Sequence, residues 1–198
     1  MKAILFDLDG TLTDTFELWY QSIREFVENH TGKILSKEEY ENNYWGMDGR
    51  GKIMNLITKE TEKIEELYNE LQQLLLSKIE LVRTFPGVLE TVRSLTYKYD
   101  LGVISNSSLE FVEAQLSHVG LSDYFKAKIA DAKPKPDPES LLRACNELKT
   151  RPEDSLFVGD SKFDIRAGEN AGIRTIIIGR DIESMRSLGE KINGPAGI

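Results

Sequence analysis

Ala3-Ile4-Leu5-Phe6-Asp7-Leu8-Asp9-Gly10-Thr11 is an apolar run that stops at two acids and a glycine. Ala3 to Leu8 reads as a buried strand, and the Asp-Gly pair as the turn that ends it. The two acids stand two positions apart where the strand stops. Alone they need no explanation beyond a turn, because aspartate before glycine is common there. The rest of the chain decides whether they are more.

From Phe16 to about Ser77 the texture is helical, rich in Glu, Lys, Leu, Gln and Asn, with no good strand. Phe16, Trp19, Tyr20, Ile23, Phe26 and Val27 recur every three or four residues and form one apolar helical face. Ser36 followed by Glu39 resembles a capping box. Gly46, Gly49 and Gly51 interrupt the pattern and predict a loop, and Ile64 to Val82 returns to helical periodicity. Beyond Pro86-Gly87 helices and strands alternate: a helix through Leu95, a strand at Leu101–Ser105, and a helix capped by Ser107 or Ser108 that runs to His118. A short strand at Lys128–Ala130 and a helix starting at Asp137-Pro138-Glu139 follow. Then come a strand at Leu156–Val158, a helix over Ser161–Asn170 and a strand at Thr175–Ile178. The tail beyond Gly179 carries no clear pattern. This alternation predicts an α/β fold with a parallel sheet covered on both faces. The helical stretch is too long for a simple crossover, so it reads as an inserted domain over residues 15–82, with the core at 1–14 and 83–198.

Open parallel sheets bind ligands beyond the carboxyl ends of their strands. The first strand ends in Asp7-Leu8-Asp9, the second in Ser105-Asn106-Ser107 and the fourth in Gly159-Asp160-Ser161, with Asp164 one helical turn later. Past the third lies Lys133-Pro134-Lys135-Pro136. Each has a bland alternative: a turn, a helix cap, a capping box over Ser161–Asp164, a solvated lysine. Four such features on one sheet edge make an active site the better reading. Carboxylates, a hydroxyl and an ammonium suit a hard divalent metal and a phosphate.

The formal net charge of −8 disfavours nucleic acid and anionic membrane as partners. A phosphate substrate is compatible with it, since a metal and a few local donors reverse the sign inside a cleft. The single cysteine, Cys145, excludes an intrachain disulfide, sits among apolar positions and fits a reducing cytoplasm. No apolar run approaches the ~18 residues of a membrane span. The N-terminal apolar run stops at acids and does not read as a signal peptide. His30 and His118 belong to no constellation.

Four motifs, in order and spacing, resemble the haloacid dehalogenase-like hydrolase superfamily, and within it the phosphoglycolate phosphatase and β-phosphoglucomutase branch. They are Asp7-Leu-Asp9-Gly10-Thr11-Leu12-Thr13-Asp14, Ile104-Ser105-Asn106, Lys133-Pro134-Lys135-Pro136-Asp137-Pro138, and Gly159-Asp160-Ser161 with Asp164 through Gly172. The resemblance implies a three-layer Rossmannoid core with a small α-helical cap after the first strand. It implies a Mg²⁺-dependent phosphatase with Asp7 as nucleophile through an aspartyl-phosphate. Asp9 would be the acid/base, with Asp7, Asp160, the Asp9 backbone carbonyl and Asp164 around the Mg²⁺. Ser105 and Asn106 would bind the phosphoryl group, and Lys133, first in Lys-Pro-x-Pro, would offset its charge, with Lys135 an exposed neighbour. Haloacid dehalogenases lack the second acid; its presence here argues for phosphate esters, whose alkoxide leaving group needs a proton.

The segment Trp45–Lys52 resembles the family's specificity loop, where Arg50 or Lys52 can meet a carboxylate or a second phosphate. The alternative is a solvated basic loop. Mutase relatives often place their arginine one residue nearer the glycine than Arg50 stands from Gly46, which weighs against a mutase. Phe16, Trp19 and Tyr20 read as cap core. The expectation is a monomeric, cytoplasmic hydrolase of a small phosphate monoester, phosphoglycolate-like. The alternatives are a sugar phosphomutase and a non-catalytic phosphate-binding module.

Overall fold

The computed structural model describes residues 1–193. In chain order the elements are β1 (Ala3–Asp7), β2 (Thr13–Asp14), α1 (Phe16–Thr31), α2 (Lys37–Asn43), α3 (Gly49–Leu56), α4 (Thr61–Ser77), β3 (Arg83–Thr84), α5 (Val88–Leu95), β4 (Asp100–Ile104), α6 (Leu109–His118), β5 (Ala127–Ile129), α7 (Glu139–Glu147), β6 (Ser155–Gly159), α8 (Lys162–Ala171), β7 (Arg174–Ile177) and α9 (Met185–Asn193). The chain forms two compact units. One holds Met1–Asp14 and the chain from Arg83 onward; the other is Thr15–Val82.

The first unit is built on a five-stranded sheet in the order β5-β4-β1-β6-β7, with every pairing parallel. β1 lies in the middle, which is why all five of its residues are buried and why its sequence is continuously apolar up to Asp7. Its side chains still alternate. Ile4 and Phe6 join Val88 and Val92 of α5, Val112 of α6 and Leu188 of α9. Leu5 joins Leu141 and Ala144 of α7 and Ala167 of α8 on the other face. The result is a helix–sheet–helix sandwich. Asp7 pairs with Ile104 of β4, and Phe6 with Val158 of β6, so Asp7, Ser105 and Asp160 leave the sheet at one level. Beside the sheet, β2 and β3 form a two-stranded antiparallel ribbon, pairing Thr13 with Thr84 and Asp14 with Arg83.

The second unit is all helical among its described elements. α4 packs against both α1 and α3. Phe16 packs edge-on against Tyr40 and Trp45, with ring centroids 5.8 and 5.1 Å apart, and Tyr20 lies 5.8 Å from Tyr40. No described helix is long and apolar enough to cross a membrane.

Three expectations change. Gly49–Lys52, read as loop, is the first turn of α3, capped by the Asp48 side chain, which accepts the Gly51 N–H at 3.0 Å. The cap offsets the ~1 kcal/mol that each helical glycine costs. Gly49 is also required by packing, because a Cβ there would lie 2.7 Å from the Tyr68 ring. Second, the patternless tail contains α9, whose Met185, Leu188 and Ile192 enter the core. Third, the ribbon of β2 and β3 is too short to leave a periodic signal. Residues 194–198, part of the expected core range, lie outside the described residues.

Candidate active site

The site grows from the end of β1. The backbone after Asp7 winds around one carbonyl: Leu8 O accepts the N–H groups of Thr11, Leu12 and Thr13 at 3.3, 2.9 and 2.9 Å. Gly10 permits that turn with φ of 88°, and a Cβ on it would fall 2.4 Å from Asp160 Oδ2. Only glycine therefore lets the β1 turn approach the end of β6 this closely. The Thr11 hydroxyl donates to Asp160 Oδ1 at 3.3 Å across the same gap.

Asp7, Asp160 and Asp164 converge, with one carboxylate oxygen from each within 4.8 Å of the others. Lys135 is the cation at this point. Its ammonium donates to Asp7 Oδ1 and, at 2.7 Å, to Asp164 Oδ1. Burial works against that charge, but Asp164 and Asp7 outweigh it and hold the lysine pKa above its usual value. Asp164 also caps α8: its Oδ2 accepts from the Ser161 hydroxyl at 2.6 Å and the Ser161 N–H at 3.0 Å. Burial raises its pKa, yet Lys135 and Ser161 together bring it below the usual aspartate range. Ser161–Asp164 thus forms the capping box and at the same time brings Asp164 into the carboxylate cluster. Asp7 behaves differently. Burial is the largest effect and pushes its pKa well up; Lys135 works against it, and the like charges of Asp164 and Asp160 add to the rise. Burial and Asp164 likewise raise Asp160 to about 6.

Asp9 points elsewhere. Its Oδ2 accepts from Ser105 Oγ at 3.2 Å and its Oδ1 from Gln115 Nε2 at 3.3 Å. Ser105 Oγ in turn accepts the Ser107 N–H at 3.1 Å. Asn106 Oδ1 accepts the backbone N–H of Lys135 at 2.9 Å, which fixes the loop that delivers the ammonium. Asp7 is thus held against a lysine and two further acids, while Asp9, two residues on, is held by a hydroxyl and an amide. Two carboxylates so differently surrounded suit two different roles.

The lysine assignment is corrected. Lys133 is 70% exposed and its ammonium lies 3.9 Å from Glu139, whereas Lys135 is 5% exposed and touches Asp7. Lys-Pro-x-Pro occurs twice in overlapping register, at 133–136 and 135–138. The second register places the lysine directly ahead of the Asp137 turn that opens α7, where Asp137 Oδ1 accepts the Glu139 N–H. The two basic candidates of the second unit, Arg50 and Lys52, are also not free loop groups. Arg50 donates twice to Glu65, at 2.7 and 2.8 Å, and stacks 3.8 Å from the Tyr68 ring centroid. Lys52 is buried, donates to the Met47 carbonyl and lies 4.4 Å from the Trp19 ring. Sequence reasoning missed Gln115. Its signal was a polar side chain in the apolar row Phe111, Val112, Leu116 of α6.

A divalent cation fits the carboxylate cluster. Three buried or half-buried acids face one ammonium, and burial, helped by their neighbouring acids, holds the pKa values of Asp7 and Asp160 up, so a cation there would favour their ionised forms. The donors are all oxygen, as a hard cation requires.

Residues 4–178 match the family model described as haloacid dehalogenase-like hydrolase. A pyrophosphatase, PpaX, of Halalkalibacterium halodurans is 32% identical over 184 residues, covering 90% of this chain and 84% of that protein. Among solved structures, CbbY from Rhodobacter sphaeroides in complex with phosphate superposes with a TM-score of 0.82 at 23% identity, covering 100% of this chain and 98% of that one. A predicted phosphoglycolate phosphatase from Haemophilus somnus gives 0.80 at 21% identity, covering 95% and 96%.

Proposed function

Since the chain belongs to the haloacid dehalogenase-like hydrolase family and is one of its phosphatases, we propose that it hydrolyses a small phosphate ester with Mg²⁺, through an aspartyl-phosphate on Asp7. The observation that carries this reading is the contrast between the two acids of the β1 turn. Asp7 sits in the carboxylate cluster against Lys135, and Asp9 sits outside it with Ser105 and Gln115.

Asp7, Asp160 and Asp164 would hold the Mg²⁺ by carboxylates, and Asp9 by its backbone carbonyl. Asp164 Oδ2 is already engaged with Ser161, which would leave Oδ1, beside Lys135, for the cation. The cation would supply the positive charge that keeps Asp7 ionised and draws in the phosphoryl oxygens. Asp7 Oδ attacks phosphorus, the P–O bond to the leaving group breaks, and the proton of Asp9 goes to the leaving oxygen. Asp9, now a carboxylate, takes a proton from water as that water's oxygen attacks phosphorus. The Asp7–phosphorus bond then breaks and phosphate leaves. Ser105 and Asn106 line the phosphoryl position, and Lys135 offsets charge as it passes between Asp7 and phosphate.

Phosphoglycolate-like esters are the first substrates to try. The name of the 32%-identical relative adds inorganic pyrophosphate. An intramolecular sugar phosphomutase is the second reading. The helical unit Thr15–Val82 is read as the family's cap. A monomer in a reducing cytoplasm is the setting proposed, in keeping with one buried free thiol. The test is phosphate release from a panel containing phosphoglycolate, pyrophosphate and sugar phosphates, with and without Mg²⁺. Release is expected only with Mg²⁺ and is lost in Asp7→Asn. Release that survives in Asp7→Asn refutes the nucleophile, and isomerised sugar phosphate without net release favours the mutase.

A further inference from the structure

Gln115 is 0% exposed and lies in an apolar row of α6. A buried amide is costly unless both of its ends are bonded, and a leucine there would fill the space without that cost. Both ends are bonded. Thr13 Oγ1 lies 3.0 Å from Gln115 Oε1, and Gln115 Nε2 lies 3.3 Å from Asp9 Oδ1. A carboxylate only accepts, so the NH₂ end must face Asp9, and the other end meets the Thr13 hydroxyl, whose one proton lies between Gln115 Oε1 at 3.0 Å and the Leu8 carbonyl at 3.1 Å. The bonds span 102 and 106 residues of chain and tie α6 to β2 and to the Asp9 turn. With Ser105 on Oδ2, the amide holds both oxygens of Asp9 and so sets its rotation about both side-chain bonds.

We infer that Gln115 is a positioning residue for the acid/base step: its amide, held by Thr13, keeps the Asp9 carboxyl group in the orientation from which it delivers a proton to the leaving oxygen. Among the described residues its side-chain hydrogen bonds run to Thr13 and Asp9 and not to Asp7, Asp160 or Asp164, so it acts through Asp9. Misplacing a general acid by a fraction of an ångström costs rate without changing the fold. The inference rests on the assignment of Asp9 given above.

The loss has a signature. Phenolate leaves poorly and needs the proton, whereas p-nitrophenolate leaves readily without it. Single turnovers with enzyme in excess and Mg²⁺ present, on phenyl phosphate and p-nitrophenyl phosphate, follow release of the phenol. In Gln115→Met the ratio of the p-nitrophenyl to the phenyl rate is expected to rise about tenfold, and in Asp9→Asn about 100-fold, within the range of general acid catalysis. A purely structural role lowers both rates together and leaves the ratio unchanged. An unchanged ratio in Gln115→Met beside a raised ratio in Asp9→Asn overturns the inference alone. An unchanged ratio in Asp9→Asn overturns the acid/base assignment, and a wild type that releases neither phenol overturns the phosphatase reading; the inference falls with either. Should Gln115→Met not fold, Thr13→Val removes the donor that holds the amide and reads the same ratio, with an expected rise of about threefold.

Discussion

At the scale of the residue, the two lysines of Lys133-Pro134-Lys135-Pro136 separate cleanly. Lys135 Nζ bridges Asp7 and Asp164 in a buried site, and Lys133 stands in solvent near Glu139. Lys135→Met removes the one ammonium in the carboxylate cluster, so kcat is expected to fall about 10³-fold, the cost of losing a charged donor aimed at a transferring group. Lys133→Met is expected to stay within about threefold of wild type, as surface changes away from a site do. Steady-state kinetics on the pair checks both, and the reverse ranking would restore Lys133. The carboxylates themselves were legible because Asp7, Asp160 and Asp164 sit at or just after strand ends that local pattern reveals. The choice of lysine was not, because Lys-Pro-x-Pro fits in two registers and only the path of the chain between β5 and α7 selects one.

At the scale of the element, α9 is the clearest addition. Its sequence, Met185-Arg-Ser-Leu188-Gly-Glu-Lys-Ile192, carries few apolar residues, yet those three close the α5 side of the sheet. The Thr91 hydroxyl of α5 donates to the Met185 carbonyl at 3.1 Å, which ties the two helices at their contact. Leu188 is fully buried, so Leu188→Ala is expected to lower unfolding free energy by about 3 kcal/mol, the usual cost of a leucine-sized core cavity. Urea unfolding measures it, and a change under about 1 kcal/mol would place α9 outside the cooperative core. The turn of α3 at Gly49–Lys52 makes the complementary point. Two glycines in four residues predict a loop, but a capping aspartate and contact with Tyr68 carry a helix through them.

At the scale of the whole molecule, charge couples the site to stability. In the metal-free protein Asp160 titrates near 6, above its ordinary value of 3.8, and Asp7 is raised in the same direction. A raised carboxyl pKa means that the native state favours the proton. The stabilisation is therefore full below about pH 4 and is lost as pH rises through about 6. Asp164, held low, titrates below this window. A bound cation reverses the balance by favouring the ionised acids. The gain in Tm on adding Mg²⁺ is thus expected to be small at pH 5 and to grow by pH 7, with Mg²⁺ affinity rising at least about tenfold. Thermal melts with and without Mg²⁺ read this, and an equal gain at both pH values would detach the metal from Asp160. The amino-acid sequence alone determined the parallel sheet, the helical insertion and the acids on the carboxyl edge. Each of these is written in local periodicity, turn chemistry and strand ends. The tertiary structure alone decided that Lys135 meets Asp7 across 128 residues of chain, that Gln115 reaches Asp9 across 106, and that α9 belongs to the core. Those pairings follow from how whole elements pack, and a side chain's distant partner leaves no mark in its own neighbourhood of sequence.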